Sequence, residues 1–294
     1  MRLKKNSKLT FSEITNLKES FIEKGWDKFL GFDAFFDNYC DFLEELNKEQ
    51  CQLIGELTDD FLWIPDISYF ENLIIALNKL TQFEHLNFDK IYIVPILSNK
   101  DRKKNKPKSS TKVAYEFQST LLNFDDRFGD SEFIVINNYE TLPKKSKIEG
   151  NNHPVILVDD FIGTGESAIT ALSELLAVRQ YSNKHLFFLT LVGQEKGLHA
   201  LKAKGYNVAY SILRKMGLDD KYVGAELQRN KDIMNSIEDV LEKDLNFERI
   251  KYSFGYKNSQ SLVSMVRTPN NTFPLYWFSP KLNDNKKRKA PFPR

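Results

Sequence analysis

The sequence predicts an α/β protein: a parallel sheet with helices on both faces, preceded by a helical subdomain and followed by a C-terminal extension. Three observations carry this. Short, dense apolar runs recur from residue 88 onward: IYIVPIL (91–97), FIVIN (133–137), VILV (155–158), LFFLTLV (186–192) and NVAYSIL (207–213). Amphipathic stretches near 112–122, 165–180 and 195–204 lie between them, and continuous apolar strands joined by helices are how a sheet covered on both faces reads. Residues 8–84, by contrast, repeat their apolar positions near helical spacing.

The elements follow in order. In the front segment Ser12 heads a capping pattern, and the apolar series Phe21–Trp26–Phe29, Phe32–Phe35–Phe36–Cys40 and Leu53–Ile54–Leu57–Phe61 predict packed helices. Pro65 breaks the run, and Ile67–Leu80 offers one more helix; no polar residues converge in this part. After the apolar runs, residues 219–247 read as a charged helix. The turn-rich TPNNTFP (268–274) and the aromatic run Tyr276-Trp277-Phe278 follow SLVSMVR (261–267).

Charge is unevenly placed. The chain of 294 residues has 42 Lys/Arg against 40 Asp/Glu, a formal +2. Residues 100–112 hold seven Lys/Arg and one Asp, and residues 281–294 hold six and one, so an acidic body carries two basic segments. No apolar run approaches the roughly 20 residues that cross a bilayer, so no membrane role is expected. The start, MRLKKNSKLTFSE, lacks the apolar stretch of a signal peptide. Two cysteines, Cys40 and Cys51, exclude a disulfide scaffold or a structural zinc site, and a reducing cytoplasm is the expected location. The four histidines have no ligand spacing and are expected at the surface or in packing roles.

The segment with chemistry is HPVILVDDFIGTGESAITAL (153–172). An apolar strand ends in two adjacent carboxylates, Asp159 and Asp160. Next comes the loop Phe161-Ile162-Gly163-Thr164-Gly165, and then Glu166-Ser167-Ala168 opens a helix. Glycines flanking a threonine at a helix start let backbone N–H groups close around an anion with the helix dipole behind them. Paired acids beside that loop accept hydrogen bonds from a sugar diol or hold hydrated Mg²⁺. Together these describe a sugar phosphate. A nucleotide-triphosphatase loop needs a lysine after the second glycine, and none follows Gly165. Gly163 to Ala168 satisfies G-x-G-x-x-A, but two aspartates separate it from the strand and the next strand ends in Val192-Gly193-Gln194 instead of an acid. An ordinary strand–turn–helix with a capping aspartate is the plainest alternative.

VILVDDFIGTGES resembles the phosphoribosyl-pyrophosphate (PRPP) binding motif of type I phosphoribosyltransferases: an apolar strand, two acids, three residues, T-G, any residue, then Ser or Thr. The resemblance implies a phosphoribosyltransferase-like parallel sheet. Asp159 and Asp160 would contact the ribose hydroxyls, with Mg²⁺ directly or through water, and the loop of Ile162, Gly163, Thr164, Gly165, Glu166 and Ser167 would hold the 5′-phosphate. Glu166 departs from the small residue often found there. LFFLTLVGQEKGLHALKAKGYNV (186–208) resembles the strand–loop–helix that follows this motif in the orotate-type branch. IYIVPILSNKDR (91–102) falls where the family has its first strand and pyrophosphate loop. That makes Ser98, Asn99, Lys100 and Arg102 candidates for the loop and Lys108, in NKPKSST (105–111), a candidate for the mobile lid; a solvated charged loop is the alternative. The helical front, KSST and the ending G-Y…L-V…T-P-N-N-T-F-P-L-Y-W are similar to the divergent phosphoribosyltransferase-like family of bacterial conflict systems, associated with anti-phage loci such as retrons.

The implied organisation is a helical subdomain (1–85), a phosphoribosyltransferase-like core (86–215), a hood (216–280) and a basic tail (281–294). Phe273, Tyr276 and Trp277 are candidates to stack on a base, or else they close a core. The tail is a candidate for nucleic acid or an acidic protein, or else a solubilising end. Three functions fit: an enzyme using PRPP or a related ribose 5-phosphate nucleotide, a sensor that binds without turnover, and an effector controlled by a nucleic-acid-containing or protein partner of a defence system. The acceptor and the oligomeric state stay open.

Overall fold

A computed structural model describes residues 9–83, 85–103, 108–242, 248–279 and 289–294. The chain divides into two compact units. One is the continuous stretch Asp66–Lys215, and the other joins Met1–Pro65 to Met216–Arg294.

The first unit is built on five parallel strands, β1 (Lys90–Pro95), β2 (Glu132–Val135), β3 (Val155–Ile162), β4 (Leu186–Gln194) and β5 (Asn207–Arg214), in the order β2-β1-β3-β4-β5. All five lie on apolar runs singled out in the sequence. Their register is fixed by pairs such as Tyr92 with Val155 and Val155 with Leu186. Parallel strands need crossovers, and helices supply them or cover them: α1 (Tyr69–Asn78), α2 (Ser109–Glu116), α3 (Glu166–Val178) and α4 (Glu195–Lys202). Leu186 and Phe188 join α3 and α4 in one apolar cluster with Val155, Leu157, Leu175 and Leu198. Phe187 alternates to the opposite face, against Phe83 at 5.1 Å between centroids. Hence β4 is buried along its whole length and reads as a predominantly apolar run.

The grouping of residues 66–85 differs from the sequence-based division at 85/86. Helix α1 packs on β4 and β5, and Leu73, Ala76 and Leu77 are fully buried, so it is a layer of the sheet unit and not the last helix of the front. Pro65 marks where the chain passes from one unit to the other.

The second unit packs helices Phe11–Glu23, Phe32–Leu43, Lys48–Asp59 and Gly224–Glu242, with a two-residue parallel pairing of Leu62–Trp63 with Val263–Ser264. The first helix is capped by Thr10, not Ser12: Thr10 and Glu13 exchange hydrogen bonds in a capping box two residues earlier than the sequence suggested. Its core is aromatic. Phe292 stacks on Phe61 at 4.8 Å and on Phe35 at 4.6 Å, worth about 2 kcal/mol of burial for that ring alone. The end of the basic tail is therefore anchored in the core; residues 281–288 lie outside the described residues. No described helix is long and apolar enough to cross a membrane.

Candidate functional site

In an open parallel sheet, ligands gather at the carboxyl ends of strands where the strand order reverses, and here that point lies between β1 and β3. Asp159 and Asp160 sit near the carboxyl end of β3, the central strand, which continues two residues past them to Ile162.

Each acid has a donor from a different helix. Tyr69, fully buried at the start of α1, donates its hydroxyl to Asp160 Oδ2 at 2.9 Å. Ser109, at the start of α2, donates to Asp159 Oδ1 at 3.4 Å, and the Asp160 backbone N–H donates to the same oxygen at 3.0 Å. Lys112 stands 5.6 Å over the Tyr69 ring and is held by Asp66 at 2.5 Å and Glu116 at 3.5 Å. Asp160 is only 4% exposed, whereas Asp159 keeps part of its surface open. Burial, and then the neighbouring Asp160 charge, push the Asp159 carboxyl well above the ordinary carboxylate range. Burial also raises Asp160, while the hydroxyls of Ser109 and Tyr69 pull it back down. Two carboxylates crowded at the end of a buried strand are poised to take up a cation or hydroxyl donors, which relieve both costs.

The loop after β3 is shaped by close backbone approach. Gly165 adopts φ +78° at the head of α3, a left-handed conformation natural to glycine. Gly197 in α4 lies against it: a Cβ on Gly197 would meet the Gly163 carbonyl oxygen at 2.2 Å and the Gly165 nitrogen at 2.9 Å. Ile162 and Gly163 are buried, Thr164 is half-buried, and Glu166 and Ser167 are exposed at the first turn of α3.

The segment after β1 departs from the expectation. It closes into a short helix, Asn99–Lys103, capped by Ser98, whose hydroxyl meets Asp101 Oδ2 at 3.0 Å. The Asn99 N–H donates to Glu174 at 2.7 Å. Arg102, proposed for pyrophosphate, folds back instead: its guanidinium donates to the carbonyls of Leu97 and Pro95 at 3.3 Å each and to that of Asn137, and lies 3.8 Å from the centre of the Tyr139 ring. Lys108 pairs with Asp101 at 3.2 Å, and Lys100 is exposed. Residues 105–107 of the expected lid lie outside the described residues.

The aromatic candidates are a correction. Phe273 and Tyr276 are fully buried and Trp277 is 8% exposed with its indole N–H donated to the Thr272 carbonyl at 2.7 Å. Tyr276 bonds Thr58 in the interior. They close the core of the second unit, and no face remains for a base.

Sequence reasoning missed Tyr69, Ser109 and Gly197. Tyr69 lies some ninety residues before the acid it serves, so no local pattern announces it. Gly193 and Gly197, flanking the turn from β4 into α4, were a readable hint of close approach: a Cβ on Gly193 would fall 2.6 Å from Leu198. Among the described residues no cluster of three or more His, Cys, Asp or Glu gathers to hold a metal ion by itself. The Asp159/Asp160 pair therefore fits Mg²⁺ only in the way that ion is commonly held, by one or two carboxylates with phosphate oxygens and water completing the shell.

A family model described as PRTase-CE matches residues 42–294, so the chain belongs to the PRTase-CE family. No curated protein matches. Among solved structures, the chain is similar to the orotate phosphoribosyltransferase of Mycobacterium tuberculosis H37Rv in complex with PRPP, at 16% identity over 48% of this chain and 72% of that one, TM-score 0.30. The orotate phosphoribosyltransferase of Aeropyrum pernix gives 17% identity over 50% and 72%, TM-score 0.31. The Helicobacter pylori xanthine-guanine-hypoxanthine phosphoribosyltransferase gives 10% over 52% and 84%, TM-score 0.31.

Proposed function

We propose that this member of the PRTase-CE family binds PRPP or a related ribose 5-phosphate nucleotide with Mg²⁺ and transfers the phosphoribosyl group to a base or nucleotide. In this reading it serves as a cytoplasmic effector of anti-phage defence directed by a nucleic-acid or protein partner. One observation carries the chemical part: two carboxylates lie near the carboxyl end of the central strand at the reversal point of the sheet, two residues before a glycine loop that opens a helix.

In this reading the N–H groups of the 162–167 loop hold the 5′-phosphate at the positive end of α3. Asp159 and Asp160 accept hydrogen bonds from the ribose hydroxyls. Bound there, Mg²⁺ supplies charge neutralisation for the departing diphosphate. The nitrogen nucleophile forms a bond to C1 as the C1–O bond to diphosphate breaks, and the protein's contribution is fixed positive potential where negative charge develops. Lys100 is a cation available on the β1 side.

A sensor that binds without turnover is the second reading, and the folded-back Arg102 favours it, since that guanidinium serves carbonyl groups and not a leaving group. One experiment separates the readings: incubation of the full chain with Mg²⁺, labelled PRPP and a mixture of bases and nucleotides, with released diphosphate measured alongside binding heat. Release that disappears in the Asp159→Asn/Asp160→Asn double variant supports the transferase. Heat without release supports the sensor. If neither appears and the double variant behaves identically, the ribose-phosphate reading fails.

A further inference from the structure

Residues 249–294 hold ten Lys/Arg and a single acid, Asp284, while the remainder of the chain has 32 Lys/Arg against 39 Asp/Glu. This concentration is not explained by a ribose-phosphate site, because the acid pair and glycine loop belong to the other unit.

Within the second unit, aromatic rings gather the described cations into one surface. Tyr252 is half-buried, with its ring 5.4 Å from Trp277 and 6.4 Å from Tyr256. Lys251 lies 4.8 Å over the Tyr252 ring, Lys257 lies 5.8 Å over Tyr256, and the Arg294 guanidinium 5.6 Å over Trp277. Arg267 is exposed and directly precedes Thr268, whose hydroxyl donates to the Phe292 carbonyl at 3.2 Å, two residues before Arg294. The Ala290 N–H bonds Ser279 Oγ at 2.9 Å, which pins the chain beside Lys289 to the same region. Among the described residues, Glu248 is held by Lys251 at 3.2 Å and Asp239 by Arg249, and the buried Glu238 accepts from Ser253 Oγ at 2.6 Å and from the Phe254 N–H at 2.8 Å. Among the described residues no carboxylate pairs with Arg267 or Lys289.

From this arrangement we infer that the surface around Tyr252, formed by Lys251, Lys257, Arg267, Lys289 and Arg294, binds single-stranded nucleic acid. The inference gives the partner in the proposed function a chemical class and a place, and it does not depend on the ribose-phosphate site. A backbone of phosphates needs cations spread over a surface, and half-buried tyrosines among them offer faces on which bases of any sequence stack. The acidic remainder of the chain steers a polyanion toward this region and away from the rest. A lipid surface is the poorer fit. Ile250 and Val266 are exposed, but the large aromatic that would enter a membrane interface, Trp277, is buried with its N–H satisfied.

The test is fluorescence anisotropy of the full chain with a labelled oligo-dT and an oligo-rU of about 20 nucleotides, over a salt series. Tight binding at low salt is expected, with log Kd rising by about 0.7 per phosphate engaged, hence about 3 per decade of salt for four contacts. The Lys251→Glu/Arg267→Glu/Lys289→Glu variant should weaken binding by about tenfold or more at about 100 mM salt. Should that variant misfold by circular dichroism, the milder Lys257→Gln/Arg267→Gln pair gives the same direction with a smaller loss. The Asp159→Asn/Asp160→Asn variant should bind the oligonucleotide unchanged, which separates failure here from failure of the phosphoribosyl reading. No binding at low salt, binding unaltered by folded charge variants, or equal affinity for polyglutamate or phosphatidylserine vesicles would overturn the inference.

Discussion

Two loops leave the carboxyl ends of neighbouring strands in the same sheet, yet they were unequally readable. After β3, Gly163-Thr164-Gly165 turns into α3 as its composition demands, because a left-handed residue and close backbone approach accept few other residue types. After β1, the cationic run beginning at Lys100 predicted an open anion loop, but the chain forms a short helix and Arg102 turns inward to three carbonyls and an aromatic face. Glycine patterns report backbone geometry, which is local. Long cationic side chains reach any acceptor within several ångströms, and which acceptor that is depends on distant residues such as Asn137 and Tyr139.

The sharpest way to break this comparison is at the glycine contact. Gly197→Ala places a methyl against main-chain atoms that have nowhere to move, and we expect a loss of about 3 kcal/mol in urea denaturation together with loss of phosphate-ligand binding. Gly55→Ala, a helical glycine with nothing within 4 Å of the added methyl, is the control and should gain about 0.5 kcal/mol. Equal effects at the two positions would mean that the loop is not held by backbone approach.

Arg102 tests the other side. Arg102→Ala removes hydrogen bonds to carbonyls and a cation–π contact, so denaturation should show a cost of about 2 kcal/mol while PRPP affinity changes less than about threefold. A large affinity loss with unchanged stability would return Arg102 to the pyrophosphate role.

The acid pair gives a smaller change of opposite sign. Both carboxyls titrate above the 3.8 of an unperturbed aspartate, so between that value and the raised one the folded chain holds more protons than the unfolded chain. Their contribution to stability is complete below 3.8 and is lost as pH rises through the raised value. At neutral pH, Asp159→Asn should therefore raise stability by about 1 kcal/mol, read as a higher Tm, while removing ligand binding, and the gain should vanish at acid pH. A Tm that falls at neutral pH would show that the pair is not repulsive in the free protein. Lys100→Ala should have the least effect on folding, within about 0.5 kcal/mol, because the side chain is exposed; any change should appear in ligand affinity and should shrink with added salt.

The pattern of success follows the same physics elsewhere. The five strands were legible because a doubly covered sheet writes a dense apolar run at each position, as in Leu186 to Val192, where Thr190 is the single polar residue. The aromatic run at Tyr276-Trp277-Phe278 was ambiguous because a ring that stacks on a base and a ring that fills a core are the same residue; only Tyr276's bond to Thr58 decides it. Helix α1 looked like part of the front because its apolar spacing fits any partner, and the surface it covers, β4 and β5, lies over a hundred residues away. Likewise the end of the basic tail, read by its charge, is held by Phe292, whose stacking partners Phe35 and Phe61 lie in the N-terminal part of the chain.

What the sequence determined by itself is what short-range sterics and periodicity control: the parallel strands, the acid pair at the end of the central one, and the glycine loop that follows. What the tertiary structure alone decided is which distant group meets each of these, namely Tyr69 on Asp160, Ser109 on Asp159, Gly197 under the loop, and Tyr139 beneath Arg102. The division has a physical origin. Backbone conformation is restricted residue by residue, whereas the partner of a side chain is chosen by packing that brings together segments the sequence keeps apart.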